Sequence, residues 1–148
     1  MSAYVQNKKA TFNYELLETF EAGVVLYGHE VKAIRASKAK LDGAYVIIRG
    51  GEAFLVGASV SPFQPVNTPK DYDPERARKL LLSKKELANL ERESEHAGLT
   101  IVALRWYNKG QKLKLEVALA RGKKKGDKRE TMKARDTKRE IDRILKNQ

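Results

Sequence analysis

Hydrophobic and polar positions alternate most regularly near the end of the first 120 residues. Leu113, Leu115, Val117 and Leu119 interleave with Lys112, Lys114 and Glu116. That two-residue period predicts a strand over Gln111–Arg121 with one face buried. Leu99–Tyr107 reads as a second strand, joined to the first through the turn residues Asn108-Lys109-Gly110. Tyr45–Arg49 and Glu52–Val56 flank Gly50-Gly51. This is a hairpin signal, because a two-residue primed turn needs positive φ at both central positions. Phe12–Phe20 is rich in aromatic and aliphatic residues and also predicts a strand, although Leu16-Leu17 interrupts its alternation. Ala22-Gly23 predicts a bulge or kink before a further extended run, Val24–Tyr27.

Two segments carry the helical period instead. Over His29–Lys38, Val31 and Ile34 share a side, with Lys32, Arg35 and Lys38 elsewhere. Ser83-Lys-Lys-Glu86 matches a capping box, and Leu87 and Leu90 follow on one face, so a helix is expected to about Glu95. Ser61–Pro74 contains all four prolines and reads as an irregular loop. Five or six strands, mostly adjacent in sequence and interrupted by two short helices, predict an antiparallel barrel or sandwich.

Charge divides the chain. Its 30 Lys+Arg against 19 Asp+Glu give a net +11. From residue 121 to 148 there are 12 Lys/Arg and 5 Asp/Glu, whereas the first 120 residues are nearly balanced. The hydrophobic residues of that basic segment are Met132, Ala134, Ile141, Ile144 and Leu145. So little apolar area does not offset the entropy of ordering, and the segment is expected to be disordered when free. Ile141, Ile144 and Leu145 recur at helical spacing, so a partner would fold it into an amphipathic helix. The expected division is a barrel over 1–122 and a basic tail over 123–148.

Several classes of chemistry are excluded or left without support. The 148 residues hold no cysteine and two histidines. Disulfides, thiolate nucleophiles and Cys-type metal sites are therefore ruled out. The longest uncharged stretch, Ala53–Pro69, is interrupted by prolines and is too short to span a bilayer. The amino terminus has no signal-peptide core, so a cytoplasmic address is expected. No phosphate-binding glycine motif occurs. Glu30-Val31-Lys32 resembles half of a metal-dependent nuclease site, with a helix-surface ion pair as its ordinary alternative. Binding features are more numerous. Basic residues cluster at Lys8-Lys9, along Lys32, Arg35, Lys38 and Lys40, around Leu80-Leu81-Leu82, on the strand at Lys112 and Lys114, and over Arg121–Lys125. If these faces converge they form a phosphate-binding surface. Tyr14, Phe20, Tyr45 and Trp106 either stack on unpaired bases or fill the core.

Eight short segments, in order and at matching spacing, resemble the SmpB family of SsrA-binding proteins. They are Asn7-Lys-Lys-Ala10, Phe20-Glu-Ala-Gly23, Gly28-His-Glu-Val-Lys32, Gly51-Glu-Ala-Phe54, Arg78-Lys-Leu-Leu-Leu82, Gly98-Leu-Thr100, Ala120-Arg-Gly-Lys-Lys124 and Asp127-Lys-Arg129. The resemblance covers nearly the whole chain. It implies an oligonucleotide-binding-type antiparallel barrel with short flanking helices. It implies a non-catalytic adaptor without cofactor or metal, monomeric when free, whose partners are transfer-messenger RNA (tmRNA) and the ribosome. In that family the body binds the tRNA-like part of tmRNA, and the tail enters the empty mRNA path near the decoding centre. By matched position, the resemblance implies RNA contacts at Glu21, Leu81, Ser83 and Lys114. Phosphate contacts are expected at Lys8, Lys9, Lys32, Arg35, Arg121, Lys123 and Lys124. Asp127, Lys128 and Arg129 match the decoding-centre motif, and Ile144 and Leu145 match apolar tail positions. Ser83 stands where Asn or His is expected in the family. A core ribosomal protein and a nuclease built on Glu30 and Lys32 are the competing readings.

Overall fold

The structure is a computed structural model and describes residues 3–123 except 65 and 67. Nine strands and three helices follow in the order β1 (Ala3–Gln6), α1 (Lys8–Asn13), β2 (Tyr14–Val24), α2 (Gly28–Arg35), β3 (Ala39–Lys40), β4 (Tyr45–Arg49), β5 (Glu52–Val56), β6 (Ser59–Val60), β7 (Arg78–Leu81), α3 (Lys84–Ser94), β8 (Leu99–Lys109) and β9 (Lys112–Gly122). Neighbouring strands run β1-β8-β4-β5-β7-β2-β9, and β9 also pairs with β8. Six antiparallel strands therefore close into a ring, which removes the free edges a flat sheet would leave. Closure works because β8 is long enough to be shared. Ile101 and Val102 pair with β4, while Arg105, Trp106 and Tyr107 pair with β1. The predicted mainly-β barrel with short flanking helices is thus the observed fold.

The interior is filled by alternate residues of these strands. Ala22, Leu55, Ala103, Trp106, Leu115 and Val117 are fully buried or nearly so, and Ile34 of α2 and Leu90 of α3 cap them. A second, smaller cluster lies on the outside of β8 and β9, where Ala10 of α1 packs with Val102, Leu104, Ala118 and Ala120. The small residues at 118 and 120 let the helix approach the sheet closely. Consecutive burial over Val117–Ala120 follows from this double cover. The two-glycine turn is as expected, with φ of 59° at Gly50 and 74° at Gly51.

The first third departs from the sequence expectation. Residues 8–13 form a helix, so the strand begins at Tyr14 rather than Phe12 and continues unbroken through Ala22-Gly23. The anticipated bulge exists, but at Leu17: Leu16 faces Ala120 and Glu18 faces Leu119, with the residue between them extra. That explains the broken alternation at Leu16-Leu17. Tertiary bonds hold α1 where local sequence is weak. Asn7 is buried, its backbone N–H donates to the Leu104 carbonyl at 2.7 Å, and its side-chain amide donates to Ala103 at 2.9 Å. The capping box at Ser83 and Glu86 is formed as predicted.

Glu30 is a second correction. It is not a helix-surface ion pair but is completely buried, as is its partner Arg78. Arg78 donates to Glu30 Oε2 from Nε at 3.0 Å and from Nη2 at 2.7 Å. The same guanidinium reaches the Tyr72 hydroxyl and the carbonyls of Ala58, Pro74 and Arg76. Arg76 also pairs with Glu30, and the Tyr27 amide donates to Oε1 at 2.8 Å. The Tyr72 hydroxyl lies 2.9 Å from both Glu30 Oε2 and the Val60 carbonyl. The proline-rich loop between β6 and β7 is thereby tied to the first turn of α2. With both oxygens engaged, Glu30 has none left for a metal ion, which overturns the nuclease reading of Glu30 and Lys32. Burial pushes the Glu30 carboxyl up, but hydrogen bonds from Arg76, the Tyr27 amide and Arg78 outweigh it and hold the group at about 2 instead of 4.5. The Tyr72 hydroxyl is pushed up by burial and by Glu30.

A carboxyl held below its unfolded value stabilises the fold above the unfolded pKa, and that contribution disappears as pH falls through the folded one. The part of stability due to Glu30 should therefore be complete above about pH 4.5 and lost towards pH 2. Glu30→Gln should cost about 3–5 kcal/mol at pH 7, since it leaves Arg78 buried and uncompensated. Urea denaturation across pH checks this: the gap between wild type and variant should shrink only below pH 4.5.

Candidate nucleic-acid interface

Strand register places several sequence-predicted residues on one outer face. On β2, Glu21 lies opposite Glu116 of β9, which in turn lies opposite Arg105 of β8. Lys114 lies opposite Tyr107, and Gly23 opposite Leu81 of β7. Two carboxylates therefore stand side by side, and each is matched by a cation from β8. Lys109 Nζ donates to Glu21 Oε2 at 2.9 Å. Arg105 donates to Glu116 at 3.3 and 3.4 Å, and its guanidinium stacks 4.7 Å above the Tyr107 ring. Burial, then the charges of Glu21 and Glu116, pushes the Tyr107 hydroxyl up.

Leu81 is 55% exposed, an unusual state for a leucine in the middle of a sheet. It rests over Gly23, where an added Cβ would come 3.3 Å from the Leu81 Cβ. Glycine at 23 thus lets the leucine lie against the strand. From α2, Arg35 donates to the Asn108 side chain at 3.3 Å and to the Gln111 carbonyl at 3.0 Å. The tip of the β8–β9 hairpin is held by Arg35 from one side and by Glu21, through Lys109, from the other. Lys32 sits one turn earlier on the same helix, exposed. Glu21, Leu81, Lys114 and Arg35 are in this way brought to one end of the barrel.

Ser83 has other work. Its hydroxyl donates to Glu86 Oε1 at 2.9 Å and accepts from the Glu86 amide at 3.2 Å, capping α3, which starts at Lys84. The remaining basic residues are elsewhere. Lys8 and Lys9 are exposed in the first turn of α1. Arg121 lies across from Glu15, 3.8 Å away. Lys123 bonds the end of α1 twice, from its amide to Asn13 at 2.9 Å and from its ammonium to the Thr11 carbonyl at 3.0 Å. Glu15 and Glu21 are six residues apart on one strand, so the two groups are separated by roughly 20 Å. Near the second group, a cleft of about 590 Å³ is lined by Asn7, Lys9, Asn13, Tyr14, Asp42 and Tyr45 among others. Of the aromatic candidates, Tyr14 and Tyr45 border this cleft, while Phe20 and Trp106 are core residues. Lys124, Asp127, Lys128, Arg129, Ile144 and Leu145 lie outside the described residues.

Arg105, Lys109, Glu116 and Gly23 were not legible as site residues. Only the pairing of β2 with β9, and of β9 with β8, sets them beside Glu21. Among the described residues, no group of three or more His, Asp or Glu side chains is placed to hold a metal ion. No helix there is long and apolar enough to cross a membrane.

Comparison with known proteins agrees with this fold. The family model described as SmpB protein matches residues 4–147. An SsrA-binding protein of Chromohalobacter salexigens is 49% identical over 145 residues, covering 98% of this chain and 92% of its own. One of Mesoplasma florum is 52% identical over 133 residues, covering 90% and 89%. A solved chain described under "tmRNA-SmpB: a journey to the center of the bacterial ribosome" superposes with a TM-score of 0.67 at 41% identity, over 81% of this chain and 84% of that one. A family model matching residues 4–147, and SsrA-binding proteins about half identical over nearly the whole chain, place the chain in the SmpB family.

Proposed function

We propose that this chain is an RNA-binding adaptor of trans-translation. It binds the tRNA-like part of tmRNA and delivers it to stalled ribosomes, so that incomplete nascent chains are tagged and the ribosomes are released. It acts in the cytoplasm, as a monomer when free. The observation that carries this reading is full-length similarity to SsrA-binding proteins, joined to the outer face built around Glu21, Leu81 and Lys114. Lys114 supplies a phosphate contact. Glu21 repels phosphate, so its place in an RNA site needs another role. Held by Lys109, its carboxylate keeps lone pairs that accept from base amino groups or 2′-hydroxyls. Leu81 offers an apolar surface to a ribose or base face.

The barrel end with Lys8, Lys9 and Arg121 lies about 20 Å from this face and is the end from which residues 124–148 continue. Residues 1–122 form the RNA-binding body, and 123–148 act in the empty mRNA path. There Asp127, Lys128 and Arg129 meet the decoding centre, and Ile144 and Leu145 pack on one helical face. Basic residues spread along the tail pair with rRNA phosphates and offset its ordering entropy. Lys124 extends the phosphate contacts of the body's edge.

Lys114→Ala should weaken tmRNA binding and reduce the salt slope of log affinity by about 0.7–0.9, the loss of one phosphate contact. Glu21→Gln should reduce the preference for tmRNA over a control transfer RNA and leave the slope unchanged. Filter binding over a salt series measures both. An unchanged preference in the Glu21 variant would reduce that residue to an ion pair with Lys109.

Changing Asp127, Lys128 and Arg129 together to Ala should leave tmRNA affinity nearly intact and abolish tagging in a reconstituted translation system. Normal tagging by the triple variant would remove the decoding-centre role. A parallel loss of tmRNA affinity would make the tail an ordinary RNA-binding arm.

A further inference from the structure

The face around Glu21 does not stop at Leu81. Pairing of β2 with β7 continues past the strand end, because the Val25 amide donates to the Lys79 carbonyl at 2.9 Å. Alternate residues from Glu21 onward, namely Gly23, Val25 and Tyr27, then fall on one side. Val25 is 50% exposed and Tyr27 56% exposed. Together with Leu81 they account for three of the six exposed large hydrophobics among the described residues. The strip ends at a cleft of about 400 Å³ lined by Tyr27, His29, Pro69, Asp71, Tyr72 and Asp73.

The cleft is aromatic and already ordered. Tyr27 and His29 stack with ring centroids 5.7 Å apart and planes at 26°. Tyr72 meets His29 edge-on at 4.7 Å. The Arg76 guanidinium lies 4.3 Å over Tyr27 and is itself fixed by the buried carboxylate of Glu30. Exposed tyrosine held in one orientation loses little entropy when a ring stacks on it, which favours a planar ligand. Apart from Arg76, whose charge is engaged by Glu30, the cleft is lined by no Lys or Arg and by two aspartates, so a phosphate is disfavoured inside. Aspartates at the rim accept hydrogen bonds from base amino groups. His29 also lines the neighbouring cleft with Lys32, which places a cation beside the pocket rather than in it.

We propose that the Tyr27–His29–Tyr72 cleft is a stacking pocket for one unpaired RNA base, at the end of the Glu21–Leu81 face, with the phosphate of that nucleotide directed to Lys32. The inference rests on the RNA-adaptor reading for the identity of the RNA, but not for the chemistry of the pocket.

The test compares wild type, Tyr27→Phe and Tyr27→Leu. The phenylalanine keeps the ring and the leucine keeps apolar bulk without one. Two probes are used in filter binding, full tmRNA and a mixed-sequence single-stranded RNA 12-mer. Tyr27→Leu should bind both probes about tenfold more weakly with an unchanged salt slope, since a stack and not a phosphate contact is lost. Tyr27→Phe should match wild type. Equal thermal midpoints of the three proteins show that the loss is not unfolding, as expected for a half-exposed side chain. Wild-type affinity of Tyr27→Leu for both probes would overturn the pocket. Wild-type affinity combined with lost tagging on ribosomes would also overturn it, assigning the cleft to a protein side chain. Lack of any tmRNA preference in the wild type would sink the adaptor reading instead, and the 12-mer would still decide the pocket.

Discussion

The ion pair between Glu30 and Arg78, both fully buried, is the constraint on which the rest of this structure depends. Removing two charges from water is costly, and such a pair gives little net stability over apolar residues of the same volume. Its effect here is geometric. One guanidinium collects Glu30 from α2, Tyr72 and Pro74 from the long loop, Ala58 from the segment before β6, and its own neighbour Arg76. A loop of this length without regular structure would otherwise bring large entropy and few contacts. Its second half, Tyr72, Pro74 and Arg76, is tied at several points to the buried Glu30–Arg78 pair. Because Arg76 is fixed by the same carboxylate, the cluster also sets the orientation of Tyr27 at the surface.

Electrostatics on the outer face follow a different logic. Glu21 and Glu116 would repel each other directly across the strand pair, at a cost in the range of cross-strand like charges. Lys109 and Arg105, both from β8, neutralise them. The hairpin tip is consequently pinned between β2 and α2, through Lys109 on one side and Arg35 on the other. A patch so arranged is nearly neutral within itself and carries fixed acceptors, fixed donors and an exposed leucine. Such a surface suits discrimination among RNAs. Lys8 and Lys9 at the far end are exposed, and Arg121 lies 3.8 Å from Glu15. The two groups are thus separated along β2 by roughly 20 Å.

Much of the strand architecture was legible from residue pattern. The β4–β5 hairpin was set by two glycines that tolerate positive φ, and β9 by strict alternation of leucine or valine with charge. The Ser83–Glu86 capping box was local chemistry three residues apart, so it needed no tertiary information. By contrast α1 has one buried alanine and no side-chain cap, and its helix is held by Asn7 bonding to strand β8, 96 residues away. No window of sequence contains that bond. The same holds for β7, four residues whose pairing with β5 and β2 decides that Leu81 faces outward and Leu80 inward.

Composition and local period by themselves determined a mainly antiparallel β fold, barrel or sandwich, the basic character of residues 121–148 and the absence of cysteine chemistry, because these depend on which residues are present and on their nearest neighbours. The family resemblance marked Glu21, Leu81 and Lys114, but not that they share one outer face of the barrel. Only tertiary structure decided that. Register set Glu21 against Glu116, barrel closure brought β8 beside β9, and the fold carried Glu30 inside to meet Arg78. A Glu-x-Lys on an amphipathic helix looks like a surface pair because a lone carboxylate belongs in water. It is buried here because a guanidinium 48 residues further along the chain replaces that water with hydrogen bonds, and sequence does not state distances across a fold.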